Sequence, residues 1–532
     1  MKRNLLLLFF FVCGGGIAFA QQLSTTRSFN REAKLMYGVA VCAADDALKA
    51  DFSGQLSDII SQKKWDIELL NDLGDFPDVV FVFEDAKEFI RKAQENDILP
   101  IMICMDKKME VAGIPVIYAK NKKDAARKAG EVLRKMFYVG MRPSYSVVFE
   151  EKKDGYPAYR IPSVITLPDE RIVAFAEARG WEDRDCAEND IVIKISDDGG
   201  KNWGKLIKVA ESGAASLNNP TAVYVEEKNR IILLFQEYPP KLNESNTGKG
   251  TEGENICRVY ITYSDDRGET WTLKKDITKQ MKWPMIGGFA SGPGVAIRVV
   301  CGPDKGRILV PLNVSGGSQG WFNYLAYSDD LGESWGILPG RSTYGTNESQ
   351  VVQVSDSGFF VNARCHRFSG DEVKTPAGWN PWNFGKVTRF RGMIPVTIVD
   401  TNVCWAPTQV RTDLPDPLCQ GAIYRYSGLK TGERSRILFT NPSSRLTLPV
   451  AGRKHDGTAP GRVNGSVKVS YDEGETWSYS KRIYGNRFTL YQYSVLTNLG
   501  KGKIGCLFET LPKICFAVFD MEWLTSGTDQ GK

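Results

Sequence analysis

The sequence predicts a mainly β protein, a six-bladed β-propeller preceded by a small α/β domain with a parallel sheet. Two observations carry this prediction. The pattern S-x-D-x-G-x-x-W occurs four times after residue 190, each time behind a β-rich run. Before residue 140, short apolar runs alternate with helical patterns instead. We therefore expect a signal peptide at residues 1–20, the α/β domain at 21–140 and the propeller at 141–532.

The predicted α/β domain combines four apolar runs with two amphipathic stretches, an order typical of a parallel sheet. The runs are residues 37–42, 78–83, 99–104 and 114–118, and the helical stretches are residues 86–96 and 122–136. Neither GxGxxG nor GxxxxGK[ST] occurs here, so no nucleotide site is predicted. Its role stays open between a carbohydrate-binding module, a spacer and a contact that shapes the propeller rim.

The repeated boxes predict hairpin turns in a propeller. Their serines are Ser196, Ser264, Ser328 and Ser470, which are 68, 64 and 142 residues apart. Because 142 is twice 71, one repeat between the third and fourth boxes lacks the pattern, and the region holds between five and six repeats. In each box the Asp accepts backbone N–H groups, the Gly takes an unusual φ and the Trp packs over the turn. These residues are structural and do not mark a site.

The N-terminus has the features of a signal peptide. Lys2 and Arg3 precede the apolar residues 5–12, and residues 18–20 are Ala-Phe-Ala. We expect a secreted or periplasmic protein, with attachment to the cell surface left open. No later stretch is long and apolar enough to span a bilayer. With 68 basic against 63 acidic residues, the net charge of +5 is too weak to indicate a nucleic-acid partner or a membrane surface.

Cysteine and histidine usage argues against a metal site. The eleven cysteines are scattered without a CxxC pair, and the chain has only two histidines. The same scarcity of histidine argues against Ser-His or Cys-His catalysis. Disulfides are compatible with an exported protein, and so are buried thiols.

Further motifs follow one another in an order that resembles the bacterial exo-α-sialidase (neuraminidase) family, whose propellers carry Asp-box repeats. They are YRIP at 159–162, EAR at 177–179, ESQVV at 348–352, NAR at 362–364, Arg462, Tyr493-Ser494 and Glu509. The resemblance covers about residues 145–526 and none of the α/β domain. It implies an exo-α-sialidase that removes terminal sialic acids from glycans, glycoproteins or glycolipids with retention and without a cofactor.

The resemblance assigns the binding of the sialic acid carboxylate to three arginines, Arg160, Arg364 and Arg462. The planar guanidinium pairs with a carboxylate through two parallel hydrogen bonds and stays charged at any relevant pH, whereas lysine offers a point charge. Glu509 resembles the acid that holds Arg160 in position. Arg179 resembles the residue that contacts the hydroxyl side of the sugar ring.

The resemblance also names a tyrosine nucleophile, Tyr493, with Glu348 as its proton acceptor. An Asp or Glu attacking the anomeric carbon would bring one anion against the substrate carboxylate, and a neutral phenol avoids that repulsion. A phenol has a pKa near 10, so it needs a base beside it. Tyr491 lies two residues away, on what we expect to be the same strand face, and is the rival nucleophile.

The general acid that protonates the leaving oxygen is expected on the loop before the first box. Asp185 fits the family position, and Asp183 and Asp190 are near alternatives. The local acidity of Glu182, Asp183 and Asp185 could raise the pKa of a carboxyl group there.

Two other functions stay open. The same residues would serve a trans-sialidase or an intramolecular trans-sialidase, because the acceptor decides that outcome. A non-catalytic glycan-binding propeller is the alternative from a different class. The sequence favours a monomer and carries no signal for linkage preference.

Overall fold

The computed structural model describes residues 35–531 except for several short segments, and the predicted signal peptide lies outside this part. The segments left out are residues 74–76, 84–86, 96–97, 106–113, 138–140, 182–184, 315–319, 366–389, 431, 445–446 and 450–457. The chain divides into two units. One holds Met1–Met141 together with Tyr484–Thr489, and the other holds Arg142–Ile483 with Leu490–Lys532. No helix in the described part of the chain is long and apolar enough to cross a bilayer.

The first unit contains a parallel sheet, as the sequence predicts, and the sheet has five strands. Its strands are β1 (Tyr37–Cys42), β2 (Ile67–Leu70), β3 (Val79–Phe83), β4 (Leu99–Cys104) and β5 (Val116–Tyr118). They are ordered β2-β1-β3-β4-β5, and every pair is parallel. The helices are α1 (Asp46–Lys63), α2 (Lys87–Glu95) and α3 (Lys122–Phe137). The sequence prediction missed β2 and α1.

Helix α1 is defined by its ends and by a narrow buried face. The Asp45 carboxylate accepts hydrogen bonds from the first backbone N–H groups, and Lys64 ends the helix in a left-handed conformation. Only Phe52, Leu56 and Ile60 are buried, at a spacing of four residues. This thin apolar stripe explains why the helical pattern is weak in the sequence.

The second unit is a propeller of six antiparallel blades. It begins with β6 (Ser144–Glu150), which pairs with the last strand of the chain and so completes the sixth blade. Because the two ends of the unit share one blade, the ring of blades closes without a long exposed edge. The prediction of a six-bladed propeller is confirmed.

Each of the first three blades carries one predicted box between its last two strands. Blade 1 has β7 (Ala158–Thr166), β8 (Ile172–Arg179), β9 (Asn189–Ser196) and β10 (Ile207–Ala210). Blade 2 has β11 (Ser216–Val225), β12 (Arg230–Tyr238), β13 (Arg258–Ser264) and β14 (Lys275–Asp276), which is followed by α4 (Thr278–Met281). Blade 3 has β15 (Phe289–Ser291) and β17 (Ile297–Arg298), both paired with β18 (Ile308–Val314), then β19 (Phe322–Ser328) and β20 (Gly336–Ile337). The short β16 (Gly294–Val295) pairs with β11.

The last three blades contain the nucleophile candidate and the fourth box. Blade 4 has β21 (Thr346–Gln353), β22 (Gly358–Cys365), β23 (Phe390–Val399) and β24 (Asn402–Trp405), with β25 (Gln409–Pro415) also paired with β23. Blade 5 has β26 (Ala422–Ser427), β27 (Arg436–Pro442), β30 (Gly465–Ser470) and β31 (Tyr479–Arg482), and β28 (Thr447–Pro449) pairs with β29 (Thr458–Pro460). Blade 6 has β32 (Gln492–Gly500), β33 (Lys503–Thr510), β34 (Lys513–Asp520) and β6, and α5 (Met521–Leu524) follows.

The four boxes share one hydrogen-bond pattern. In the third box the Ser328 hydroxyl donates to Asp330 at 2.8 Å, and the N–H of Gly332 donates to the Ser328 hydroxyl at 2.8 Å. Asp330 also accepts the N–H of Ser334 at 2.9 Å. The glycine has a φ of 90°, which glycine adopts without the Cβ strain that other residues carry. The boxes are turn-forming elements, as the sequence predicts.

Blade 4 is the repeat between the third and fourth boxes that lacks a box of its own. Its last two strands are joined through Asp400, which has a φ of 56°, and Thr401. A two-residue turn with a left-handed residue matches the twist of the strands without the longer box. The missing box in blade 4 explains why the third and fourth boxes are separated by twice the usual number of residues.

Candidate active site

The candidate site residues lie at one edge of the propeller sheets. Arg160, Glu348 and Tyr493 each lie within the first three residues of β7, β21 and β32, the first strands of blades 1, 4 and 6. These first strands contact their counterparts in neighbouring blades, as strands around a propeller channel do. Arg179 and Arg364 lie at the carboxyl ends of β8 and β22. Because those strands run antiparallel to the first strands, all five residues come to the same edge.

Four β-bulges shape this edge, one of them on β21 between Thr346 and Ser349, beside Glu348. In the other three the strand register shifts at Ile161, Asn219 and Tyr493, and these residues have φ values of 53°, 54° and 41°. A bulge leaves a residue outside the ladder and re-aims its side chain. A left-handed non-glycine residue costs roughly 1–3 kcal/mol, so the surrounding contacts hold it in place.

Tyr493, Glu348 and Arg364 form a hydrogen-bonded chain. The Tyr493 hydroxyl donates to Glu348 Oε1 at 2.5 Å. Arg364 Nη1 donates to Glu348 Oε2 at 2.7 Å. The carboxylate is therefore placed to accept a proton from the phenol while the arginine balances its charge.

The protonation of this pair follows from burial and charge. Burial raises the pKa of Tyr493 well above its usual value of 10.0, and the charge of Glu348 raises it further. Burial also works to raise the pKa of Glu348. The positive charge of Arg364 and the hydrogen bond from Tyr493 outweigh this effect and hold that pKa below 4.5. At neutral pH the chain thus joins a neutral phenol to an ionised carboxylate.

Glu509 organises Arg160 through two contacts. Arg160 Nε donates to Glu509 Oε2 at 2.7 Å, and the N–H of the bulged Ile161 donates to Oε1 at 2.7 Å. Glu509 is fully buried, and burial raises its pKa although the charge of Arg160 opposes the shift. One carboxylate therefore fixes both the guanidinium and the bulge beside it.

Arg462 lies in the segment before β30, and its side chain extends to the residues around Tyr493. Its Nη1 donates to Gln492 Oε1 at 3.1 Å, and its Nη2 donates to the carbonyl of Leu418 at 3.0 Å. The guanidinium carbons of Arg462 and Arg160 lie 5.6 and 5.2 Å from the centre of the Tyr493 ring. The phenol is therefore flanked by two cations, and a third, Arg364, is joined to it through Glu348.

Arg179 and Asp185 form a second part of the site. Arg179 Nη2 donates to Glu177 Oε2 at 2.7 Å and contacts Asp185 Oδ1 at 2.9 Å. The Arg179 side chain is 1% exposed, whereas that of Asp185 is 75% exposed. Asp185 thus presents a carboxyl group to solvent beside a buried arginine. The positive charge of Arg179 also interacts electrostatically with that of Arg160.

The structure separates the candidate residues from most of their rivals. The Tyr491 hydroxyl is hydrogen-bonded to Thr440 Oγ1 at 2.6 Å, and its ring lies against Gly465. The expectation that Tyr491 and Tyr493 share a strand face is wrong, because Tyr491 precedes β32 and the register of that strand already shifts at Tyr493. Asp190 accepts a hydrogen bond from the Tyr156 hydroxyl at 2.6 Å. Glu182 and Asp183 lie outside the described residues.

Two residues of the site were given no role from the sequence. Glu177 is fully buried and accepts hydrogen bonds from Arg179 and from the N–H of the bulged Asn219. Its position two residues before Arg179, on the same strand face, could have indicated the contact. Gln492 bridges Arg462 and Glu509, and nothing in the sequence marked it.

Neither a metal centre nor a disulfide is found in the part of the chain that the structure describes. No group of three or more His, Cys, Asp or Glu side chains there could hold a metal ion. The ten cysteines of that part are free thiols.

Comparison with known proteins identifies the relatives of the propeller. Residues 161–375 match the family described as a BNR repeat-like domain. The "Sialidase" of Micromonospora viridifaciens is 27% identical over 386 residues, which are 70% of this chain and 53% of that protein. The "Exo-alpha-sialidase" of Aspergillus fumigatus is 25% identical over 411 residues, 70% of this chain and 86% of that protein. The chain is a homologue of sialidases. Its match spans about half the length of the Micromonospora protein.

Solved structures agree with the fold of this sialidase homologue. The Hadza microbial sialidase Hz136 superposes with a TM-score of 0.59 at 23% identity, covering 71% of this chain and 69% of that one. The leech intramolecular trans-sialidase superposes with a TM-score of 0.57 at 18% identity, covering 73% of this chain and 71% of that one. At these identities the likeness establishes the shared propeller.

Proposed function

We propose that this sialidase homologue is an exo-α-sialidase, which hydrolyses terminal α-linked sialic acids with retention through a covalent intermediate on Tyr493. The observation that carries the proposal is the Arg364–Glu348–Tyr493 chain, flanked by Arg160 and Arg462. The names of its relatives, sialidase and exo-alpha-sialidase, agree with it.

Substrate binding rests on the carboxylate of the sugar. Arg160, Arg364 and Arg462 offer three permanent positive charges around the phenol, and Glu509 already holds Arg160 in place. A guanidinium that is fixed before binding loses little side-chain freedom when the substrate arrives. The anomeric carbon, which bears this carboxylate, is thereby brought to Tyr493.

In the first half of the reaction the bond to the leaving group breaks. Asp185 donates a proton to the glycosidic oxygen, and the Tyr493 oxygen attacks the anomeric carbon. The phenolic proton passes to Glu348, whose low pKa keeps it ionised and ready to accept it. The neutral phenol avoids repulsion with the substrate carboxylate until the new bond forms.

In the second half of the reaction, water displaces Tyr493 from the anomeric carbon. Asp185, now a carboxylate, takes a proton from water, and the water oxygen attacks the anomeric carbon. The bond to Tyr493 breaks, and Glu348 returns its proton to the phenolate. Two inversions leave the sugar with its original configuration. Every residue used here comes from one chain, so we propose that a monomer suffices, acting outside the cell after export.

A fluorogenic aryl α-N-acetylneuraminide tests the proposal. We expect release of the fluorophore, N-acetylneuraminic acid by mass spectrometry, and the α anomer first by time-resolved NMR. Glu348→Gln, which keeps the size but not the base, is the matched control and should be nearly inactive. A product lacking one water would indicate intramolecular transfer. Saturable binding without turnover would contradict the proposal and favour a glycan-binding propeller.

A further inference from the structure

A fourth arginine, Arg391, lies near the site without reaching its surface. It is on β23 of blade 4, and its side chain is 0% exposed. Arg391 Nη1 donates to Asp416 Oδ2 at 2.7 Å, and Asp416 is buried as well. A fully buried guanidinium that is already paired with a carboxylate cannot bind the carboxylate of a substrate. The function of Arg391 therefore depends on the protein groups to which it is hydrogen-bonded.

The Arg391–Asp416 ion pair fixes the segment 416–420. Arg391 Nη1 donates to the carbonyl of Cys419 at 2.6 Å, and Asp416 Oδ1 accepts the N–H of Cys419 at 2.8 Å. Between them Leu418 has a φ of 59°, a conformation that is costly for a leucine. The ion pair supplies the contacts that hold this strained turn.

Each of three consecutive residues in this turn contacts the nucleophile or the residues around it. The carbonyl of Leu418 accepts Arg462 Nη2 at 3.0 Å. Cys419 packs in one buried cluster with Tyr493. Gln420 Oε1 accepts the N–H of Ser494 at 2.8 Å, and Gln420 Nε2 donates to the carbonyl of Ser494 at 3.1 Å.

Arg391 also reaches the strand that carries Arg364. Its Nε donates to Asn362 Oδ1 at 2.8 Å, and its Nη2 donates to the carbonyl of Asn362 at 3.2 Å. Asn362 lies two residues before Arg364 on β22. A single buried group is thus bonded to the strand that carries Arg364 and to the one turn that both holds Arg462 and packs on Tyr493.

We propose that Arg391 and Asp416 are a positioning pair that sets the relative places of Arg364, Arg462 and Tyr493 for the reaction. The inference rests on the proposed sialidase function. The pair touches neither substrate nor reacting atoms. It acts by fixing the guanidinium groups and the nucleophile to within the small tolerance that bidentate binding and in-line attack require.

Asp416→Asn tests the pair against a matched control, Asp529→Asn. The asparagine side chain keeps the size of the aspartate but turns an NH₂ group or an uncharged oxygen towards Arg391. Asp529 pairs with the buried Arg436 through two hydrogen bonds of 2.7 and 2.9 Å, and these bonds do not involve the proposed catalytic residues. Both variants leave a buried arginine without its counter-ion, so both should lower Tm.

Activity per active site separates positioning from stability. Sites are counted by covalent labelling with a 3-fluorosialyl fluoride, and binding is measured with the 2,3-didehydro sialic acid inhibitor. We expect Asp416→Asn to lose at least about thirtyfold in kcat/KM, with a lower kcat and weaker inhibitor binding. Asp529→Asn should stay within about twofold of wild type in both. Equal losses in the two variants, or retention of more than about a third of kcat/KM by Asp416→Asn, would overturn the proposal.

A double variant covers the case in which Asp416→Asn does not fold. Arg391→Met combined with Asp416→Leu replaces the buried ion pair by apolar side chains, a change that proteins often accept without loss of stability. It should fold and still be impaired in kcat/KM, and full activity would overturn the proposal. If the wild type turns over sialosides, and Asp416→Asn and the double variant have the same kcat/KM as the wild type, the positioning pair alone is refuted. Wild type without turnover would refute the proposed function first.

Discussion

Tyr493 is the proposed nucleophile, and its surroundings act on it in two ways. Burial and the neighbouring carboxylate raise its pKa, so the phenol stays neutral until the substrate is in place. The same carboxylate, Glu348, is kept ionised by Arg364 and can take the proton when the bond forms. In the proposed reaction Arg364 therefore has two tasks, charge balance for Glu348 and binding of the substrate carboxylate.

Arg364→Lys separates charge from geometry. Lysine keeps the positive charge but cannot pair with Glu348 and the substrate through a planar fork. We expect kcat/KM to fall by ten- to a hundredfold, as for the loss of roughly 1.5–3 kcal/mol from one charge-assisted pair, with Tm little changed. The measurement is steady-state kinetics on the fluorogenic sialoside. If the variant keeps more than about a third of the wild-type value, Arg364 is not a carboxylate ligand.

At the scale of elements, the sequence predicts what depends on local pattern. The boxes specify turns because Ser, Asp and Gly bond within a few residues, and β1 and β4 have the predicted bounds. The helix α1 and the short edge strand β2 were missed because a three-residue apolar stripe and a four-residue strand give weak periodicity.

The bulges at the site could not be predicted from local pattern. The conformation of Ile161 is held by Glu509, which is 348 residues away in the chain. Asn219 is held by Glu177 of the preceding blade. A positive φ at a non-glycine residue depends on such distant partners and has no signature in its own segment. The motifs could therefore indicate which residues meet, and only the fold shows how they are aimed.

The boxes themselves are predicted to affect stability and not catalysis. Asp330→Ala removes the acceptor of Ser328, of the Ser334 N–H and of the Ser334 hydroxyl. We expect a loss of about 1–2 kcal/mol in the free energy of unfolding, as for a lost capping side chain. Denaturant unfolding measures it, and Asp266→Ala in the second box should lose a similar amount. If either variant had a changed kcat/KM when assayed at a temperature well below its Tm, the box would contribute to the site.

At the scale of the whole molecule, the first unit includes a short segment that lies between β31 and β32 in the chain. Residues Tyr484–Thr489 belong to the first unit although the chain on both sides belongs to the propeller. Within that unit the N–H of Met36 donates to the carbonyl of Gly485 at 3.1 Å, and Arg487 Nη1 donates to the carbonyl of Pro77 at 2.8 Å. The chain reaches Tyr493 four residues after this segment ends.

A variant that begins at Arg142 is predicted to keep a folded propeller, because β6 is retained and still closes the sixth blade. The segment 484–489 would lose its hydrogen bonds to Met36 and Pro77, so we expect trypsin to cut after Arg487 much faster than in the full chain. Limited proteolysis with mass spectrometry, alongside thermal unfolding, measures both effects. Equal cleavage rates, or the absence of a cooperative transition, would contradict this prediction.

The central claim, that Tyr493 attacks the sugar, is tested by trapping the intermediate. A 3-fluorosialyl fluoride slows hydrolysis of a glycosyl-enzyme, so it should label wild type on the peptide that contains Tyr493. Tyr493→Phe removes only the oxygen and should stay folded, bind the 2,3-didehydro inhibitor and remain unlabelled. Label on Tyr491 or on Glu348 of the wild-type protein would contradict the claim.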